Sequence, residues 1–166
     1  MPISPNVLLL SIHEKYASQI FDGRKTVELR KLKPRLEAGD LIVVYVTSPR
    51  KEIVGILEVS KVVSYPPDIL WNIVEKKSGV TAHEFNSYFE NAPLGFAIFV
   101  RKYVNFVEPL KLNIVREKWS NFRPPQGYQY LEEEQINLLR AMTHYDILGF
   151  SEKKMCVQGE LSLSMI

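Results

Sequence analysis

Three charged side chains at short spacing are the chemistry-bearing group of this chain. Lys25, Glu28 and Arg30 stand in the run Gly23-Arg24-Lys25-Thr26-Val27-Glu28-Leu29-Arg30. An ammonium and a guanidinium are ligands for phosphate or for a developing oxyanion, and a carboxylate between them can orient both or take up a proton. If the run opens a β-strand after the Gly23 turn, side chains alternate between two faces. Thr26, Glu28 and Arg30 then share a polar face, Val27 and Leu29 point to the core, and Lys25 reaches the polar side from the strand's start. His13 is the one histidine near this group, though a capping or solvent role suits it better. His83 reads as a helix-start residue and His144 as a loop residue. Tyr45 and Tyr130 are candidate stacking surfaces. The three histidines are far apart and Cys156 is the single cysteine, so no zinc-ligand spacing exists and neither metal nor cofactor is expected.

The elements that must position these residues follow from hydrophobic period. Val7–Ile12 is an apolar run that predicts a buried strand. Tyr16, Ala17, Ile20 and Phe21 recur at helical spacing, with Gly23 as the stop. Strands are expected over Leu41–Thr47 and Glu52–Tyr65, joined by a hairpin turn at Ser48-Pro49-Arg50-Lys51, with a bulge or bend at Gly55. Pro66-Pro67 opens a helical insertion. Ile69, Leu70, Ile73 and Val74 define its first helix, and Thr81-Ala82-His83-Glu84 has capping-box spacing for a second. Phe85, Tyr88 and Phe89 form that helix's apolar face, with core burial favoured over partner docking. Trp71 and Trp119 are read as packing residues and Cys156 as a small core residue.

A strand is read over Gly95–Val107, a short helix over Asn113–Trp119, a loop over Phe122–Gly127 and a strand over Tyr128–Leu131. A helix follows from Glu132 to about Met142, and a last strand from Lys154 to Met165. This order gives an α+β fold with a mixed or antiparallel sheet, not regular βαβ winding.

The chain has 166 residues, 46% of them apolar and 24% charged, which suits one core-bearing domain. A lone cysteine fits a reducing compartment, the start lacks the pattern of a secretion signal, and no apolar run approaches the roughly 20 residues that span a bilayer. A soluble cytoplasmic protein is expected, without a membrane partner. The net charge is +2, yet residues 13–35 carry seven basic side chains against three acidic ones. That local excess is a footprint for a polyanion, set against the alternative of a solvated lysine-rich surface.

The strand Leu9-Leu10-Ser11-Ile12, the short helix with Tyr16, Ala17 and Ile20, and then Gly23, Lys25, Glu28 and Arg30 as G-x-K-x-x-E-x-R resemble the ASCH domain of the PUA-like superfamily. Ala38-Gly39-Asp40, Tyr45, Gly55 and Val59 extend the resemblance over roughly residues 7–107. It implies a PUA-like small mixed or antiparallel β-barrel with peripheral helices, covering 1–110, with 111–166 as a C-terminal extension packed on the same domain. It also implies a cleft near the motif that binds RNA or another nucleic acid, with roles in transcription coactivation or in removing acyl groups from modified nucleosides.

On the binding reading, Lys15, Arg24, Lys25 and Lys31 contact phosphates, Arg30 pairs with phosphate or stacks on a base, Glu28 orients its neighbours or accepts from a base amino group, and Tyr45 or Tyr130 stacks. The ligand would be RNA or a modified nucleotide, with a regulatory outcome. On the alternative reading the protein is a hydrolase, an amidohydrolase on acylated nucleosides or a metal-free ribonuclease, using Lys25 and Glu28. The amidohydrolase branch has a threonine where this chain has Glu28, and a later glutamate whose nearest match here is Ser78. That hydroxyl mechanism therefore does not transfer. The remaining alternatives are a surface ion network without function, and a protein-interaction module.

Overall fold

The computed structural model of the chain describes residues 4–151; the strand read over 154–165 and Cys156 lie outside them. Six strands and five α-helices follow one another: β1 Val7–Ile12, α1 Glu14–Phe21, β2 Val27–Arg30, β3 Leu41–Val46, β4 Glu52–Tyr65, α2 Pro67–Val74, α3 Ala82–Tyr88, β5 Gly95–Lys111, α4 Leu112–Lys118, β6 Tyr128–Tyr130 and α5 Glu133–Thr143. The strands form one sheet in the order β2-β5-β4-β3-β1-β6. Only β1 and β3 run parallel, with Val7 opposite Leu41 and Ile12 opposite Val46; the other pairs are antiparallel. The expected α+β class with a mixed, PUA-like sheet is what the chain adopts.

β1 and β3 are buried along their whole length because both faces of the sheet are covered. Alternate residues feed two cores. Val7, Leu9, Leu41, Val43 and Tyr45 pack with Val115, Ile136 and Leu139 of α4 and α5. Leu8, Leu10, Ile42 and Val44 pack with Ala17 and Ile20 of α1. Among the described residues, β6 pairs with β1, and α5 closes one core.

A third core lies under the helical insertion, where Leu70, Val74, Phe85 and Phe89 cover Val27, Leu29 and Ala97. The capping box at Thr81 and Glu84 forms, with each side chain bonded to the other's backbone N–H. Trp71 packs on the fully buried Phe85 at 4.8 Å between ring centroids.

Two strand ends differ from the sequence reading. β5 continues through Pro109 to Lys111, because β4 jumps register between Ile53, opposite Leu110, and Gly55, opposite Asn105. Residues 106–109 bulge out there, and a bulge spares Pro109 the ladder bond that its missing N–H cannot make. β2 is shorter than expected: Lys25 and Thr26 precede it, and the N–H groups of Thr26 and Val27 both donate to the Lys77 carbonyl.

The sheet curls so that its β2 end approaches its β1–β6 end. No ladder joins them. Side chains do, with Arg30 Nη2 donating to the Ser11 carbonyl at 2.9 Å and the Arg35 N–H donating to Tyr130 Oη at 2.6 Å. Tyr128 Oη also donates to the Lys33 carbonyl at 3.3 Å. This side-chain seam is where the charged motif sits.

Candidate nucleic-acid interface

α1 delivers the chain to the seam. Gly23, at φ +85°, takes the left-handed conformation that ends the helix, and its N–H donates to the Ile20 carbonyl. Two residues later Lys25 is turned inward, and β2 then carries Glu28 and Arg30, opposite Ile98 and Phe96 of β5.

The three charges are not displayed on a solvated face. Lys25 is 2% exposed and Glu28 7% exposed. This corrects the expectation of an open polar face, because α3 and the 77–80 turn cover the motif. Lys25 Nζ donates to the Ser78 carbonyl at 2.5 Å and lies 3.4 Å from Glu28 Oε2. It also sits 5.5 Å from the Tyr16 ring centroid. Glu28 Oε1 accepts from Arg30 Nη2 at 2.9 Å. Glu28 is therefore a bridge between two cations. Burial pushes the Lys25 ammonium below its ordinary pKa, and the Glu28 charge opposes that shift without cancelling it. Arg30 Nε is buried and has no acceptor among the described residues.

Around the cluster opens a cavity of about 560 Å³. β1 contributes Ser11 and Ile12, α1 contributes Tyr16, and α3 contributes Glu84 and Tyr88. His13, Thr47 and Gln126 complete the mouth, with His13 Nδ1 3.2 Å from Thr47 Oγ1. The volume falls in the range of small-molecule sites, and rings beside a few convergent polar groups are their usual lining.

The structure separates the remaining sequence candidates. Lys15 is at the rim, ion-paired with Glu84 across the gap between α1 and α3. Lys31 is exposed at the rim, its Nζ 4.9 Å from the Tyr88 centroid. Arg24 is exposed and paired with Asp22 at 2.6 Å, outside the cavity lining. Tyr45 is 4% exposed and packs into the core facing α4, on the other side of the sheet, with its phenol pKa raised by burial. Tyr130 belongs to the seam, where Arg35 stacks at 5.1 Å from its centroid. Ser78 meets Lys25 through its backbone, and its hydroxyl is buried without a partner among the described residues.

Sequence reasoning missed Tyr16, Tyr88, Ser11, Thr47 and Gln126 as lining residues. Tyr16 and Tyr88 read as helix core from their spacing. A helical period identifies the inward face but not the residue at its margin, and no local signal would have distinguished them. Burial and hydrogen bonding keep Tyr88 half in the protein: its phenol is raised in pKa by desolvation, and Oη lies 3.4 Å from the Leu29 carbonyl.

A family model described as the ASCH domain matches residues 10–115. The chain is 27% identical over 135 residues to a Zymomonas mobilis protein named "ASCH domain-containing ribonuclease", covering 81% of this chain and 90% of that one. The crystal structure of ASCH from Zymomonas mobilis superposes with a TM-score of 0.77 at 26% identity, over 82% of this chain and 95% of that chain. The N-terminal domain of McrB from Staphylothermus marinus has a similar fold, with a TM-score of 0.52 at 13% identity over 85% of this chain and 99% of that one.

Proposed function

Because the chain belongs to the ASCH domain family, within the PUA-like superfamily, we propose that its seam cavity binds single-stranded RNA, holding one nucleotide against Lys25, Glu28 and Arg30. The observation that carries this reading is the cavity's composition. A buried cation–carboxylate–cation cluster with an unused Arg30 donor stands beside Tyr16 and Tyr88, in a space of about 560 Å³. Arg30 donates to a phosphate or base acceptor, Glu28 holds Arg30 and accepts from a base amino group, and the tyrosine rings supply apolar contact. Base–aromatic stacking contributes about 1–3 kcal/mol per base in single-strand binders.

Lys25 acts mainly through Glu28 and through local positive charge, since Nζ is already committed to Ser78 and Glu28. Lys31 and Lys15 at the rim meet neighbouring phosphates, Lys15 after release from Glu84. The outcome of binding is regulatory in this reading. Among the described residues no helix is long and apolar enough to cross a membrane. Titration of labelled single-stranded RNA at two salt concentrations tests the proposal, with Lys25→Ala/Arg30→Ala as comparison. Salt-sensitive binding that the double substitution weakens is expected; binding indifferent to both salt and the substitutions refutes it.

RNA cleavage is the second reading, favoured by the relative named as a ribonuclease. Its chemistry would be attack of a ribose 2′-hydroxyl on the adjacent phosphate. Glu28 would take up the proton, and Lys25 and Arg30 would stabilise the phosphorane oxygens. His13, exposed at the mouth beside Thr47, would protonate the departing 5′-oxygen. Incubation with RNA in the presence of a chelator distinguishes the two. Products ending in 2′,3′-cyclic phosphate, lost in His13→Ala, establish a cutter; bound but intact RNA establishes a reader.

A further inference from the structure

We propose a second polyanion site on this chain: the groove between the 47–51 turn and the β5–α4 junction, occupied by the phosphates of the same RNA strand that enters the seam cavity. The inference rests on the RNA reading above and extends it to a surface outside the ASCH-type motif.

The groove has a volume of about 310 Å³ and is lined by Arg50, Lys51, Glu52, Lys111, Asn113 and Arg116. Four cations face one carboxylate. Arg50 Nε pairs with Glu52 at 2.9 Å, and among the described residues no carboxylate lies within salt-bridge distance of Lys51, Lys111 or Arg116. All three are exposed. Uncompensated cations at close quarters repel one another, so such a cluster raises the local concentration of a polyanion.

The backbone fixes the groove. The Lys51 N–H reaches the Thr47 carbonyl at 3.4 Å, and the Leu112 N–H donates to the Lys51 carbonyl at 3.0 Å. Lys111 stands in register with Glu52 across the β4–β5 ladder. Arg116 is held by its own Nε, which donates to the Phe122 carbonyl at 3.1 Å, leaving the Nη groups for a ligand. The cations are thus presented on a rigid base.

Residues of one turn reach both sites. Thr47 lines the seam cavity, and Arg50 and Lys51 line the groove. Lys51 is four positions beyond Thr47, a span of at most about 14 Å even if fully extended. One strand can therefore place a nucleotide in the cavity and pass its next phosphates over the turn into the groove. The basic excess at residues 13–35 is less available for this task, since Lys15, Arg24, Lys25 and Arg30 are all paired with carboxylates.

The test uses the full chain, a labelled 12-nucleotide single-stranded RNA, a nucleoside 5′-monophosphate and a poly-glutamate peptide. The groove variant is Lys51→Asn/Lys111→Gln, with asparagine chosen because residue 51 has φ +53°. The cavity variant is Lys25→Ala/Arg30→Ala. Losing two phosphate contacts should lower the salt slope of 12-mer binding by about 1.4, a roughly sevenfold smaller loss of affinity between 50 and 200 mM salt. Monophosphate binding should be unchanged in the groove variant.

A 12-mer slope and affinity equal to wild type in the groove variant, with weakened binding in the cavity variant, overturns the groove and leaves the cavity. Poly-glutamate binding that the groove variant alone abolishes, with RNA binding unaffected, assigns the groove to an acidic protein segment and also overturns the proposal. Failure of the wild type to bind the 12-mer overturns both readings.

Discussion

Glu28→Gln removes the negative charge from between a buried and a half-buried cation while preserving side-chain size and one acceptor oxygen. Lys25 Nζ is 3.4 Å and Arg30 Nη2 2.9 Å from the Glu28 oxygens. At an effective dielectric of about 20 these separations correspond to about 5 and 6 kcal/mol of attraction. Desolvation of all three groups offsets much of it, and mutual repulsion of the cations offsets more. What remains after substitution is the buried Lys25 beside the half-buried Arg30 with no charge between them, and removing one partner of a buried ion pair costs about 3–5 kcal/mol. Lys25 can respond by releasing its proton, since its pKa is already lowered by burial. The expected loss at pH 7 is therefore at the low end, about 3 kcal/mol, and smaller at pH 9.5. Urea unfolding of wild type, Glu28→Gln, Lys25→Met and the double variant forms the cycle. The double variant should recover at least about 1.5 kcal/mol of the sum of the singles, because Lys25→Met removes the cation left stranded. A Glu28→Gln loss below about 0.5 kcal/mol, or single effects that add within about 0.5 kcal/mol, would refute the coupled cluster.

Two further outcomes follow from the same geometry. Lys25 titrates below its ordinary 10.5 when folded. In the window between its folded pKa and 10.5 the unfolded chain binds more protons than the folded one, so stability rises with pH there. Lys25→Met should flatten that rise, and urea midpoints that climb equally from pH 7.5 to 10 in both proteins would contradict it. Gly55→Ala places a Cβ 2.2 Å from the Val104 carbonyl oxygen and 2.8 Å from the Phe21 ring. A destabilisation of about 2–3 kcal/mol is expected in denaturant melts, from overpacking against a backbone that cannot yield. An unchanged midpoint would show that β4 and β5 can separate locally.

Much of the scaffold was legible because its signals are local. β1 and β4 have the predicted bounds, the capping box at Thr81 forms, and Gly55 stands at the register jump. The G-x-K-x-x-E-x-R spacing likewise located the charged cluster. What was not legible depends on distant partners. Val27 and Leu29 predicted the core side of β2, but nothing near them foretold that α3 and the 77–80 turn would bury Lys25 as well. Tyr45 matched the family at its position in β3, yet its ring enters the core with Val115 of α4, whereas Thr47, past the end of the strand, lines the cavity. The basic cluster over 13–35 was real in sequence, but in space Asp22, Glu28 and Glu84 hold Arg24, Lys25, Arg30 and Lys15, which leaves Lys31, Lys33 and Arg35 without a carboxylate among the described residues. Conversely, Lys51, Lys111 and Arg116 converge only because β4 and β5, far apart in sequence at these ends, pair antiparallel and set Lys111 opposite Glu52.

The seam between β2 and the β1–β6 edge also governs how the molecule can breathe. Its links are single hydrogen bonds from Arg30, Tyr128 and the Arg35 backbone N–H, each worth about 1 kcal/mol net, with the Arg35 guanidinium over the Tyr130 ring and Leu36 packed beside them. A ladder, by contrast, opens only when several bonds and the side-chain packing on both faces yield together. The curled sheet therefore behaves as a sprung clasp: the 31–38 loop can part from the two tyrosines one bond at a time while the β1–β3–β4–β5 ladders keep their register. Parting the seam therefore breaks side-chain contacts and leaves every strand ladder whole.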